Sequence, residues 1–216
     1  VKGAFVSLEA MTDEDYELLS RWSRERMGVY SSSGPEFVDG RELKESARRA
    51  GLHYLMAVAH DGQRVGGVSW SQVSHAGSYE VGLGIGDAER WTLGYGMDAA
   101  AILLRYLFHV RNARRVQAII GDYNRNMLQF VAKGFMTVEG VLRDYFFLDG
   151  EYHDAVICSI LRDEYYAMSV PGLPEEDIDV ISAQEKAQAK RVLTDCLARS
   201  GDSYLTSLVN RARRSS

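Results

Sequence analysis

Apolar and polar positions follow two rhythms along the chain, one of period two and one near 3.6, and their succession predicts the elements. Residues 3–9 alternate toward apolar at Phe5 and Leu8 and predict a first strand. Thr12 stands before Asp13, Glu14 and Asp15, an N-cap with acids in the first turn. Tyr16, Leu19, Trp22 and Met27 then fall roughly on one face of a helix. Residues 39–50 predict a second helix, ended by Gly51. Residues 53–60, rich in Leu, Met and Val, read as a strand, and Asp61-Gly62 is a hairpin turn signal. Residues 64–73 and 78–85 complete an antiparallel meander. A long apolar helix over 94–110, a buried strand over 115–120 and a helix over 124–133 stopped by Gly134 follow. Residues 135–148, Asp149-Gly150 and 151–161 form a second hairpin. The order β-α-α-β-β-β-α-β-α-β-β mixes hairpins with single crossovers and predicts an α+β fold, a mixed central sheet flanked by helices.

A boundary follows. Pro171, Gly172 and Pro174 precede the acids of 175–177 and divide residues 1–168, one mixed domain, from a linker and helical C-terminal extension over 169–216. In the extension, residues 181–199 predict an amphipathic helix with Ala187, Val192, Leu193 and Leu197 inward, and 203–214 a second helix ending in Arg211, Arg213 and Arg214.

Composition narrows the class. The 216 residues are 46% hydrophobic and 25% charged, a balance that excludes wholesale disorder and supports a sizeable core. Cys158 and Cys196 are far apart in sequence, which excludes a disulfide scaffold or cysteine-rich zinc module and suggests a reducing setting. The longest apolar stretch, 97–108, is interrupted by Asp98 and Arg105 and is too short to span a membrane. With no basic-then-apolar leader pattern, the expected location is cytoplasmic. A net charge of −5 disfavours nonspecific nucleic-acid binding by overall charge. His53, His60, His75, His109 and His153 lack metal-ligand spacing, so no metal is expected.

The informative segment runs Tyr79-Glu80-Val81-Gly82-Leu83-Gly84-Ile85-Gly86, then Trp91-Thr92-Leu93-Gly94-Tyr95-Gly96-Met97-Asp98. A strand, a glycine-containing loop and the start of a long helix make an anion cradle, because the first amides of a helix have no internal acceptor. The pattern Gly-x-Gly-x-x-Gly is incomplete and the preceding strand belongs to a meander, which excludes a dinucleotide fold. No Gly-Lys-Ser/Thr follows, which excludes the phosphate loop of nucleoside triphosphatases.

These segments, with Asn124 leading to Lys133-Gly134-Phe135, Val138-Glu139-Gly140 through Arg143, and Asp149-Gly150 through Asp154 into Cys158 and Arg162, resemble the GNAT superfamily of N-acyltransferases over roughly residues 3–166. The likeness is to ribosomal-protein N-terminal acetyltransferases of the RimJ/RimL type and to spermidine acetyltransferases. It implies a GNAT fold and transfer of an acyl group, most often acetyl, from acetyl-CoA as cosubstrate to a primary amine. It implies coenzyme A binding by Leu83, Gly84, Ile85, Trp91, Thr92, Leu93, Gly94, Tyr95, Gly96, Asn124 and Phe130, with Asn126 an alternative to Asn124. Glu80 matches the family's frequent acidic residue and is the candidate general base. Two departures stand out. Thr92 and Leu93 replace a glycine and a basic residue, and Phe130 replaces a tyrosine that protonates the leaving thiolate in many relatives. Tyr123, Tyr145 and Tyr152 are candidate substitutes. The alternative function is an amide-forming transferase using aminoacyl-tRNA, with Arg105, Arg111, Arg114, Arg115, Arg211, Arg213 and Arg214 as the basic footprint. A catalytically idle binding module is a third reading. A homodimer is compatible with the resemblance, and the acceptor amine is left open.

Overall fold

The computed structural model describes residues 2–30, 37–74, 77–91, 93–168 and 181–200, together with Tyr204 and Ser207. The chain divides into two compact units, Val1–Leu173 and Pro174–Ser216.

In the first unit seven strands form one mixed sheet in the order β1-β2-β3-β4-β5-β7-β6. They are β1 (Val6–Ala10), β2 (His53–Ala59), β3 (Arg64–Gln72), β4 (Ser78–Ile85), β5 (Arg115–Gly121), β6 (Thr137–Leu148) and β7 (Glu151–Leu161). Every pairing is antiparallel except β4 with β5. The helices are α1 (Asp13–Ser23), α2 (Arg26–Tyr30), α3 (Gly40–Ala50), α4 (Tyr95–Arg105), α5 (Arg125–Ala132) and α6 (Arg162–Ala167). The GNAT fold expected from the resemblance is the one observed.

Local chemistry accounts for the ends of α1 and α3. Thr12 caps α1 and Asp39 caps α3, each in a reciprocal box with the acid three residues on, Asp15 and Glu42. Gly51, at φ 65°, closes α3 in the left-handed conformation that suits glycine. Ile102, Leu103, Leu107 and Phe108 are buried in the core, where they join Val6, Val68, Val116 and Ile160.

Three expectations for the first unit are corrected. The first strand begins at Val6, because the amides of Ala4, Phe5 and Val6 all donate to the Asp98 carboxylate, and Phe5 is 52% exposed. The first helix ends at Ser23 and α2 starts at Arg26; Gly28 approaches the Ser23 carbonyl so closely that a Cβ would collide with it. The long helix is α-helical only to Arg105 and widens into a π-helical turn over Tyr106–Val110, with the Arg111 amide reaching the Tyr106 carbonyl.

The second unit contains α7 (Ala183–Ser200). Val192 and Leu193 are 63% and 48% exposed, and Ala187 is exposed, which corrects the expected inward face; Leu197 is half-buried. Of the expected second helix, Tyr204 and Ser207 alone are described and are helical; Arg211, Arg213 and Arg214 lie outside the described residues.

Candidate active site

The site begins where the sheet comes apart. β4 pairs with β5 only at Ser78, Tyr79 and Glu80. On its other edge β4 stays paired with β3 through Ile85. The bonds Val73 N–H to Ser78 and Gly86 N–H to Val65 set the alternation, turning the backbone groups of Glu80, Gly82 and Gly84 toward β3. The Val81 carbonyl and the backbone groups of Leu83 and Ile85 therefore face the gap left by β5. The Ile85 carbonyl accepts the indole N–H of Trp91 at 2.8 Å.

Beyond the gap, Gly94 at φ 84° turns the chain into α4. The Asp98 amide donates to Gly94 at 3.1 Å, so the amides of Tyr95, Gly96 and Met97 precede the first intrahelical bond. They form the positive end of the helix dipole. The Asp98 carboxylate is bound by the N-terminal amides of residues 4–6.

Two clefts meet at the gap. The first, of about 150 Å³, is lined by Leu83, Gly84, Ile85, Trp91, Gly96, Asn124 and Phe130, all of them expected from sequence, by Asn126, the expected alternative to Asn124, and by Met27, Tyr30, Met97, Ala100 and Met127. Gly94 and Tyr95 shape the helix start, Leu93 is 53% exposed and Thr92 lies outside the described residues. A Cβ on Gly96 would come 3.4 Å from Leu83 and 3.5 Å from Ile85. Asn124 is engaged structurally. Its carbonyl oxygen caps α5 at the Met127 amide and its amide donates to the Tyr30 carbonyl at 3.2 Å. Asn126 stands exposed at the cleft rim. The Phe130 ring stacks on Phe135 at 4.6 Å.

The second cleft, of about 350 Å³, is lined by Leu19, Leu43, Ala47, Tyr54, Ser69, Ser71 and Glu80, among others. It shares Met27, Leu83 and Gly84 with the first. Ser71 is the cross-strand partner of Glu80, and Ser69 that of Gly82. Directly opposed residues share a face of the sheet, so these hydroxyls run from Glu80 toward Gly84. Glu80 is half-buried and accepts a bond from the Gln117 side-chain amide at 2.9 Å.

The other candidates lie apart from the clefts. The Tyr123 hydroxyl donates to the Val29 carbonyl at 3.3 Å, and burial, with the nearby Asp122, pushes its phenol above the ordinary range. Tyr145 and Tyr152 are 48% and 67% exposed on the β6–β7 hairpin. Burial pushes the Cys158 thiol up to about 11, which makes it a poor nucleophile. Arg105 donates to the Lys2 carbonyl and Arg115 pairs with Glu139, while Arg111 and Arg114 are exposed. Among the described residues no cluster of His, Cys, Asp or Glu is placed to hold a metal, and no helix is long and apolar enough to cross a membrane.

Residues 6–135 match the acetyltransferase (GNAT) domain family, and the chain belongs to that family of acetyl-transferring enzymes. It is 24% identical over 170 residues to the uncharacterized N-acetyltransferase p20 of Bacillus licheniformis, covering 74% of this chain and 94% of that one. It is 27% identical over 131 residues to the spermidine N(1)-acetyltransferase of Escherichia coli, covering 61% of this chain and 70% of the relative. The fold is similar to that of Vibrio cholerae spermidine N-acetyltransferase in complex with CoA and spermine, with a TM-score of 0.67 at 19% identity, over 74% of this chain and 98% of that one. A GNAT-family acetyltransferase from Bacillus anthracis gives a TM-score of 0.65 at 20% identity, over 76% and 99% of the two chains.

Proposed function

We propose that the protein transfers the acetyl group of acetyl-CoA to a primary amine by direct attack on the thioester. The observation that carries this reading is the separation of β4 from β5 after Glu80, which joins one cleft to the other at Leu83 and Gly84. The first cleft suits the donor: an apolar channel for the pantetheine arm, leading to the amides of residues 95–97 for the pyrophosphate. Only main-chain groups are needed there, so the replacements at Thr92 and Leu93 leave the cradle in place. The second cleft suits the acceptor.

The chemistry distributes over this chain's residues. A protonated amine is not a nucleophile, and Glu80 is the carboxylate lining the acceptor cleft that can take its proton. At roughly 3.3 Å per strand residue, Glu80 lies about 10 Å along β4 from Leu83. The proton therefore travels by water along Ser71 and Ser69. The Leu83 amide, turned into the gap, donates to the oxyanion that forms when the amine adds to the carbonyl. Carbon–sulfur cleavage then releases coenzyme A as thiolate, and Tyr30, the phenol lining the donor cleft, supplies its proton.

The E. coli and V. cholerae relatives are named for spermidine, which makes a polyamine the first acceptor to try. The tRNA alternative loses Arg115, whose charge is compensated by Glu139. A cytoplasmic setting fits the use of acetyl-CoA. The experiment is isothermal calorimetry with coenzyme A and with tRNA. Saturable coenzyme A binding supports the reading, and tRNA binding without coenzyme A binding refutes it.

A further inference from the structure

We propose that Gln117 is a positioning residue for Glu80, held in one orientation by Arg115. The inference rests on the reading of Glu80 as the general base. Glu80 and Gln117 are register partners on the last paired rung of β4 and β5, at the apex of the gap. The Gln117 Nε2 donates to Glu80 Oε2 at 2.9 Å, and its Oε1 accepts from Arg115 Nη2 at 3.1 Å. Arg115 in turn makes a two-pronged pair with Glu139, at 2.5 and 2.6 Å, and Ser159 donates to Glu139 at 2.7 Å.

The direction of this chain is forced by chemistry. A guanidinium only donates and a carboxylate only accepts, so the amide between them has one satisfied orientation: oxygen to Arg115, nitrogen to Glu80. Reversing it would set N–H against N–H at one end and oxygen against carboxylate at the other. Arg115 and Gln117 lie two residues apart on β5 and so share a face. Ser159 is the β7 partner of Gln117. Glu139 sits where the β6–β7 register shifts between Val138 and Gly140, and such a bulge re-aims a side chain. The chain thus crosses β4, β5, β7 and β6 and ends in a charge-compensated pair.

Its consequence is directional. With Oε2 tied to the Gln117 amide, the Glu80 carboxylate is fixed in rotation and Oε1 is the oxygen left to the acceptor cleft. A base in one orientation gives up less entropy on reaching the transition state than one that swings. The amide does this without adding a charge beside the base, which a carboxylate or a lysine at residue 117 would do.

The test is a double-mutant cycle read by amine-dependent coenzyme A release and by acetyl-CoA calorimetry. Gln117→Leu should lower kcat by about 10–10²-fold, the scale of a small misplacement of a reacting group. It should leave the acetyl-CoA Kd within twofold, since Gln117 does not line the donor cleft. In the Glu80→Gln background the same change should have no further effect. Arg115→Met, at a half-buried site, provides a second route should Gln117→Leu fold poorly, and should show a smaller loss that also vanishes with Glu80→Gln. A loss that is additive with Glu80→Gln, or an undiminished kcat in the two single variants when Glu80→Gln itself is impaired, overturns the positioning role alone. Wild-type turnover in Glu80→Gln overturns the base assignment and the positioning role together.

Discussion

The indole Nε1 of Trp91 donates to the main-chain carbonyl of Ile85 at 2.8 Å, and this bond holds the far end of the gap beside β4. Ile85 would otherwise present its carbonyl where β5 has diverged. The ring also stands edge-on to Tyr30 at 4.9 Å, and the Arg26 guanidinium lies 5.8 Å from its centre. Trp91→Phe keeps an aromatic wall and removes the donor. The variant should lose about 1 kcal/mol of stability, the usual scale of one such bond. It should bind acetyl-CoA several-fold more weakly. Calorimetry and chemical denaturation check both, and wild-type donor affinity would show that the bond does not shape the cleft.

Gly96→Glu should abolish acetyl-CoA binding in a folded protein. The added carboxylate would enter the donor cleft beside the free amides of α4, where a phosphate is expected, and like charges repel. Gly96→Ala is the control. Its Cβ meets the flexible ends of Leu83 and Ile85 at ordinary contact distances, so it should bind with at most a modest loss. Equal affinity in Gly96→Glu and wild type would remove the pyrophosphate from this helix end.

Tyr30→Phe should lower kcat by about 10–10²-fold with little change in acetyl-CoA affinity, as for loss of a general acid. Phe130→Tyr should change kcat less than tenfold, because a phenol already lines the same cleft. Stopped assays of thiol release on the two variants decide the point. A large gain in Phe130→Tyr, or no loss in Tyr30→Phe, would show that Tyr30 does not serve as the acid.

Acid should weaken the fold through Asp15. The group is 3% exposed. Burial raises its pKa, but the Thr12 amide and the Arg64 guanidinium outweigh burial, and the net shift is downward. A folded pKa below the unfolded value of about 3.9 means that the stabilisation is fully present above that pH and is lost as pH falls through the folded value. Asp15→Asn should therefore be less stable by about 1–2 kcal/mol at pH 7. The difference should shrink as pH drops below about 4. Thermal melts from pH 7 to pH 2.5 measure it, and a constant difference across that range would contradict the assignment.

Elements governed by neighbouring residues were legible in the sequence. The cap at Thr12, the glycine stop at Gly51, the meander and the β4–loop–α4 segment all depend on local patterns, and the structure has each of them. Several site features depend on contacts distant in sequence, and no periodicity reveals them. The break after Ser23 comes from α2 folding back at Gly28. That fold-back carries Met27 and Tyr30 to the cleft. The Asp98 carboxylate captures the amides of residues 4–6 across the domain, which shortens β1. Gln117 is one polar residue in a buried strand pattern, and its partners arrive from β4 and from a bulge in β6.

The most direct test of the account is acetyl transfer itself: coenzyme A release from acetyl-CoA, followed as free thiol, with spermidine, other primary amines and N-terminal peptides as acceptors, and mass spectrometry of the products. The account predicts saturable, amine-dependent release matched by one acetyl amide per coenzyme A, reduced about 10²–10⁴-fold in Glu80→Gln. No release with any amine, from a folded protein that fails to bind coenzyme A, would contradict it.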